Sequence, residues 1–441
     1  MKFVPKYEKN FKPAYLELIK FFKTCDKTLH IAIERNNDLT YRKDIPISDD
    51  FETSYFYVER IIKSILWIVG GYKIYVDNKK YYERLKADYS MKGTRSFDCV
   101  FMSKVYENDF EVIYSSLAEM PKESSESLKI GGFSDGCRIG FDAGGSDRKV
   151  CAVKDGEVVY SEEVIWFPKE NKDPNYHYEE IKKAFKTAAD KLPRVDAIGV
   201  SSAGIYIDNN VRVASLFLKV KDDDFNKTIK TIYRDIASIY GKIPLIVAND
   251  GDVASLAGAI ELNDTEVLGI AMGTSEAAGY INTDGGINGW LNELAFVPVD
   301  FSSEAMIDEW SLDYGCGVKY FSQDGVIKLA NNAGLHLCGT PAEKLLQVQE
   351  MCEKNDEIAL QIFKDIGVCF GYSLAYYSMF YDLKYVLILG RVTSGIGGSK
   401  IIEFANKVLK YLHLDIKLVT PDEKNKRLGQ AFVASTLPKI D

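Results

Sequence analysis

Four short segments carry the residue types that handle phosphate. They are IGFDAGGSDRK (139–149), VANDGDVASLAG (247–258), IAMGTSEAAGY (270–280) and VLILGRVTSG (386–395). Each is an apolar strand running into a turn of small or acidic residues. In the first, Gly144, Gly145 and Ser146 form a turn whose N–H groups can approach an anion, because glycine has no Cβ in the way. Asp142 at the strand end suits Mg2+ held through water, since hard cations prefer carboxylate oxygens. Arg148 and Lys149 offer positive charge nearby. In the second, Asn249 and Asp250 stand at a strand tip. Asp250 is placed to act as a general base, taking the proton of a hydroxyl that attacks phosphorus. Asn249 would hydrogen-bond a neighbouring hydroxyl and fix its orientation. The helix that follows needs a cap, expected from Asp252 or shared with Asp250. In the third, Gly273, Thr274 and Ser275 make a second anion loop. In the fourth, Gly390 ends a strand and glycines 395, 397 and 398 precede a helix, a surface suited to a flat adenine or ribose.

The elements around these turns follow a regular order. Arg138–Asp142 reads as a strand, and 149–154 with 157–166 as a hairpin around Asp155-Gly156. Residues 176–192 place Ile181, Ala184, Phe185, Ala188 and Leu192 on one helical face. A strand over 195–201, a helix over 226–240 and a strand over 243–248 complete the first set. The second set has strands over 266–272 and 277–282, helices near 341–354 and 356–382, and a strand over 385–389. A helix over 398–412, a strand over 414–419 and a last helix over 426–437 close it. The pattern predicts an α/β fold: two actin-like, ribonuclease H-like lobes around a central cleft, with an N-terminal α+β region. The expected divisions are 1–130, 137–248 and 249–425, the last helix packing on the first lobe. The two anion loops would then grip β- and γ-phosphates from both sides of the cleft. The polar stretch 121–127 reads as a linker. The N-terminal region shows a hairpin across residues 36–38 and helices near 53–68 and 78–89. Its segment ILWIVGGYKIYVDNKKYYERLK faintly echoes YVLILGRVTSGIGGSKIIEFANKVLK, as a degenerate copy of one lobe would. Its aromatic residues are expected in a core or an interface.

Composition bounds the partners. The chain has 441 residues, 46% hydrophobic and 27% charged, with net charge −9. That is ordinary for a soluble multi-domain protein. No block of Lys or Arg suggests nucleic acid. The start has no long apolar run, so neither a secretory signal nor a membrane anchor is expected. Eight cysteines are scattered without a C-x-x-C pair. Reduced thiols, a cytoplasmic location and no zinc site are the expectation.

These motifs resemble the actin-like sugar kinase and chaperone ATPase superfamily, and within it the ROK family that includes bacterial glucokinases. The resemblance covers roughly residues 137–437. The family's Asp-x-Gly-Gly-Thr appears as Asp142 to Ser146, its Asn-Asp pair as Asn249-Asp250, and its second phosphate loop as Gly273 to Gly279. Its sugar-contacting Glu matches Glu293, its sugar-side Pro-Gly loop resembles Ser201 to Gly204, and its adenosine-side glycines match Gly390 with Arg391. The resemblance implies an ATP- and Mg2+-dependent carbohydrate kinase. Asp250 would be the base, and Asn249, Glu293, Ser202 and Gly204 would line the sugar. Asp142, Gly144, Gly145, Ser146, Lys149, Gly273, Thr274, Ser275, Gly390 and Arg391 would take the nucleotide. A homodimer is left open. Three departures stand out. The family's His is Phe296, its Cys-rich zinc segment is replaced by residues 313–321, and Ser275, Glu276, Ala277 and Ala278 enter the second phosphate loop. Arg391 stands where it would stack on the base or partly block it. These departures raise an alternative, a catalytically weak or inactive sugar-binding regulator on the same fold.

Overall fold

A computed structural model of the protein describes residues 1–125, 130–421 and 429–440. The chain divides into two compact units. The first holds residues 1–126, 270–278 and 290–420, and the second holds 127–269, 279–289 and 421–441. The N-terminal region therefore shares a unit with the long helices near the C-terminus.

That region contributes α1 (Ala14–Phe22), the hairpin β1 (Lys27–Glu34) and β2 (Thr40–Ile47), and α2 (Phe51–Ile68). It continues with β3 (Lys73–Val76), α3 (Lys79–Asp88), α4 (Ser96–Tyr106) and β4 (Glu111–Tyr114). The sheet order is β2-β1-β3-β4, with β3 antiparallel to β1 and parallel to β4. The echo noted for residues 65–86 fails at its first apolar run. Ile65–Ile68 is the last turn of α2, whereas Tyr385–Leu389 is a strand. A short apolar run has no period that separates a buried helix from a buried strand. Of the expected linker, residues 126 and 127 lie outside the described residues, and Ser124 is tied to Thr40 through backbone hydrogen bonds of 2.9 and 3.2 Å.

The second unit is built on β5 (Cys137–Ala143), β6 (Asp147–Lys154), β7 (Glu157–Ile165), α5 (Pro174–Ala189) and β8 (Ala197–Ser202). Then come β9 (Ile205–Ile207), β10 (Asn210–Val213), α6 (Asp222–Asp224), α7 (Ile232–Ala237), β11 (Leu245–Asn249) and α8 (Asp250–Leu262). The sheet order β11-β8-β5-β6-β7, antiparallel through β5, β6 and β7 and parallel through β5, β8 and β11, is the ribonuclease H-like arrangement. Asp155 (φ 49°) and Gly156 (φ 84°) form the anticipated two-residue turn. The helix expected over 226–240 is instead broken into α6, a π-turn at Phe225–Ile229, and α7. The break lets the Lys230 carbonyl accept from the Val211 N–H at 2.9 Å.

The chain passes between units within β12 (Val267–Met272) and β13 (Glu276–Ile281). Further on lie α9 (Gln323–Asn332), which the periodicity did not reveal, α10 (Pro341–Glu353) and α11 (Glu357–Tyr377). The last elements are β14 (Tyr385–Leu389), α12 (Gly395–Tyr411), β15 (Lys417–Val419) and α13 (Gln430–Ser435). Residues 426–428 of the expected final helix lie outside the described residues. The order of this sheet is β13-β12-β14-β15. The apolar helix α11 is mostly buried. It packs tightly on α12 because a Cβ on Gly367 would stand 2.5 Å from the Ile401 carbonyl, and one on Gly371 2.6 Å from Val408 Cβ.

In the second unit, Ile139, Phe141, Val150, Phe185, Ile198, Val200 and Tyr233 are fully or almost fully buried in one core. On the sheet's other face, α13 rides directly over the strands. A Cβ on Gly140 would meet the Ala431 carbonyl at 1.8 Å, and one on Gly199 the Ala434 carbonyl at 1.7 Å. This close approach carries Gln430 to the strand ends where the site residues lie.

Candidate functional site

In the second unit the C-terminal ends of β5, β8 and β11 bring Asp142, Ser202, Asn249 and Asp250 into one neighbourhood. Asp142 is buried. Its Oδ1 accepts the Ser201 hydroxyl at 3.0 Å, and that hydroxyl lies 3.2 Å from Gln430 Oε1. Burial pushes the Asp142 carboxyl up to about 6, against the pull of the Ser201 hydroxyl and Lys149. Asp250 is half-buried. Burial raises its proton affinity above the ordinary carboxylate value, while the Gly251 N–H and the Lys169 ammonium work the other way. A half-buried carboxylate with enhanced basicity at a strand tip suits a proton acceptor.

The cap of α8 is not Asp252. Asn249 Oδ1 accepts the Gly251 N–H at 2.7 Å, with Asp250 Oδ1 at 3.1 Å from the same group. Asp252 instead accepts the Tyr280 N–H at 3.1 Å, fixing β13. Asn249 Nδ2 donates to the Gly204 carbonyl at 2.7 Å. The expected sugar ligand is therefore largely a positioning residue, aiming Asp250 by locking the strand tip. Gly204 (φ 136°) has no room for a side chain, because a Cβ would stand 2.5 Å from the Val213 carbonyl. Ser202 is withdrawn from any ligand: it is fully buried and accepts from Tyr206 at 2.6 Å and Tyr233 at 3.1 Å.

At the glycine turn, Gly144 is required by space, since a Cβ would meet the Asp147 carbonyl at 2.8 Å. Ser146 donates to Asp147 at 3.2 Å, and Lys149 lies 3.4 Å from the same carboxylate. Arg148 is buried against Glu180 at 2.9 Å and Glu162 at 3.6 Å. The positive charge expected from residues 148 and 149 is thus engaged by carboxylates. The cation at this turn is Lys169, which the sequence reading missed. A Cβ on Gly145 would stand 3.0 Å from Lys169 Cε and Nζ. No sequence signal marks it, because it comes from the segment after β7.

In the first unit, Gly273, Thr274, Ser275, Gly390 and Arg391 come together although 117 residues separate Thr274 from Arg391. The Arg391 guanidinium donates to Thr274 Oγ1 at 3.0 Å, which sends it toward the anion loop. Gly390 (φ 98°) leaves room for the Met272 carbonyl, 2.3 Å from where its Cβ would be. Gln323 N–H donates to the Gly273 carbonyl at 2.9 Å. Glu276 does not repel an anion at this loop. It is buried against Gly317, whose Cβ would come 2.4 Å from its Oε2. Burial, and then Glu293, hold its carboxyl well above the usual range. Glu293 is half-buried, and its N–H donates to the Trp67 carbonyl at 2.9 Å. Phe296 packs on Trp67 with ring centroids 4.2 Å apart.

Asp142 also offers a stability test. Its folded value near 6 exceeds the ordinary 3.8, so the folded chain binds this proton more tightly. The burial penalty is then absent below about pH 4 and complete above about pH 6. Asp142→Asn keeps the acceptor for Ser201 and removes the charge. Melting temperatures should rise relative to the parent at pH 7.5, by an equivalent of up to about 3 kcal/mol, and the difference should vanish near pH 4. An equal shift at both pH values would contradict this origin.

No protein-family model and no curated protein matches the sequence. Solved structures do. A ROK hexokinase from Thermus thermophilus is 14% identical, with TM-score 0.54, covering 68% of this chain and 98% of its own. A ROK family transcriptional regulator, a homolog of the E. coli MLC protein, is 17% identical with TM-score 0.53, covering 68% and 78%. A ROK family protein from Streptococcus pneumoniae in complex with sucrose is 12% identical with TM-score 0.50, covering 68% and 97%. The chain thus has the α/β fold of the ROK proteins, built from actin-like lobes.

Proposed function

We propose that the protein is an ATP-dependent carbohydrate kinase of the ROK type, working in the cytoplasm. The observation that carries the reading is Asp250. It is a half-buried carboxylate of raised basicity, fixed by Asn249 at the strand tip, in the unit that holds the Gly144–Ser146 turn. A sugar hydroxyl gives its proton to Asp250 as its oxygen attacks the γ-phosphorus. The bond between that phosphorus and the β–γ bridging oxygen breaks, and ADP leaves. Each unit carries one glycine loop suited to phosphate oxygens, Gly144–Ser146 and Gly273–Ser275. The residues present fit Mg2+, because Asp142 commits only Oδ1 to Ser201 and one carboxylate with waters is a common way to hold this ion. When bound, the ion neutralises phosphate charge.

A second reading, a sugar-binding regulator on the same fold, rests on Ser146 and Lys149 being engaged by Asp147 and on the regulator with this fold. One experiment separates the two. Hexoses, amino sugars and sugar acids are screened with Mg2+·ATP in a coupled ADP assay, with calorimetry for each ligand. Sugar-dependent ADP release is the expected outcome. Sugar binding with no detectable ATP binding would establish the regulator instead.

A further inference from the structure

We propose that Lys169 is the phosphoryl-binding cation of the glycine turn, seated there by Trp166. The inference rests on the kinase reading for the identity of the ligand, and on the turn's geometry for its existence. The segment that follows β7 folds back over the turn. Trp166 is 1% exposed. Its backbone N–H donates to the Ser146 carbonyl at 3.1 Å, and its indole Nε1 donates to the Gly144 carbonyl at 2.8 Å. Two carbonyl oxygens that would repel an anion are thereby occupied. Among the described residues the N–H groups of Gly144, Gly145 and Ser146 have no partner. A turn with two carbonyls tied back and its donors free is an anion seat.

Three residues beyond Trp166, Lys169 brings its ammonium over Gly145. A Cβ there would lie 3.0 Å from Lys169 Nζ. Gly145 is not among the residues with positive φ, so no left-handed backbone demands glycine there. What glycine supplies at 145 is the space the ammonium fills. Lys169 is exposed and has no hydrogen-bonded or ion-paired partner among the described residues, although carboxylates engage Arg148 and Lys149 beside it. Its charge reaches Asp250. One free cation thus stands beside the unpaired donors and is felt by the base. In phosphoryl transfer, charge spreads over the equatorial oxygens, and fixed cations aimed at them stabilise the transition state more than the ground state. The Lys169 ammonium pairs with the oxygens of the phosphoryl group while the acceptor's proton goes to Asp250.

The test uses the full chain with Lys169→Met, Lys169→Arg and Gly145→Ala. Inorganic tripolyphosphate binding is followed by calorimetry, and turnover is measured with whichever sugar is active. Lys169→Met should weaken tripolyphosphate about 10-fold and lower kcat by roughly 100-fold, with sugar affinity unchanged. Lys169→Arg should retain most of the binding, and Gly145→Ala, which obliges the ammonium to shift by only a few tenths of an ångström, should weaken it less than Lys169→Met. Parent-like tripolyphosphate affinity in Lys169→Met would overturn the assignment. If no sugar is phosphorylated by the parent, the kinase reading fails, yet the tripolyphosphate measurement still decides whether Lys169 binds a phosphate anion.

Discussion

Asp250→Asn is expected to lower turnover by about 100-fold or more, the low end for a lost general base, while sugar and nucleotide still bind. Asparagine has nearly the same volume and keeps an oxygen for the Gly251 N–H, now 3.1 Å from Oδ1. The first turn of α8 therefore survives, and so does the Asn249 clamp on the Gly204 carbonyl. What disappears is the capacity to take a proton, which burial has enhanced. A steady-state assay under saturating sugar and ATP reads this directly, with calorimetry showing that the ligands remain bound. Turnover equal to the parent's would remove Asp250 from the chemistry. A loss of sugar binding instead would make it a binding residue.

Asp313→Ala should destabilise the first unit by about 3–5 kcal/mol, as expected when one partner of a buried ion pair is deleted. Asp313 is 3% exposed and receives three cations. Arg60 Nη1, Lys63 Nζ and Arg95 Nη1 each lie 2.9 Å from its Oδ2. Glu59 pairs with Arg60 at 2.7 Å and Arg95 at 2.5 Å, and Asp98 with Lys63 at 3.6 Å. Three cations thus face three carboxylates. Removing one carboxylate leaves an uncompensated positive charge in a protein interior. Burial pushes the Asp313 carboxyl up, but Arg60 and Lys63 outweigh it and hold the carboxyl below its ordinary value. Its contribution is therefore present at neutral pH and fades as acid protonates it. Urea denaturation at pH 7 measures the effect. A midpoint unchanged within error would mean that the cluster adds no net stability.

The second unit was the most legible part of the chain. Its strands are short apolar runs bounded by turn residues, and Asp155-Gly156 specifies its own turn through left-handed backbone. The helix expected over 226–240 is interrupted: apolar spacing does not register the Lys230 carbonyl that β10 uses, and a π-turn opens there. The N-terminal region resisted reading for another reason. The buried Arg60, Lys63 and Glu59 and the half-buried Arg95 look like surface residues in sequence, and the three cations converge on Asp313, far along the chain.

By itself the sequence determined which residue types stand at the strand ends: the glycine turns, the Asn249-Asp250 pair and the apolar strands behind them. These are local properties, set by backbone freedom and by periods of a few residues. The tertiary structure decided which side chains are free to act. It withdrew Ser202 into a hydroxyl cluster, spent Asn249 on capping, engaged Arg148 and Lys149 with carboxylates, and brought Lys169 over Gly145. Availability depends on partners that folding delivers from elsewhere in the chain, and spacing along the chain does not encode that delivery.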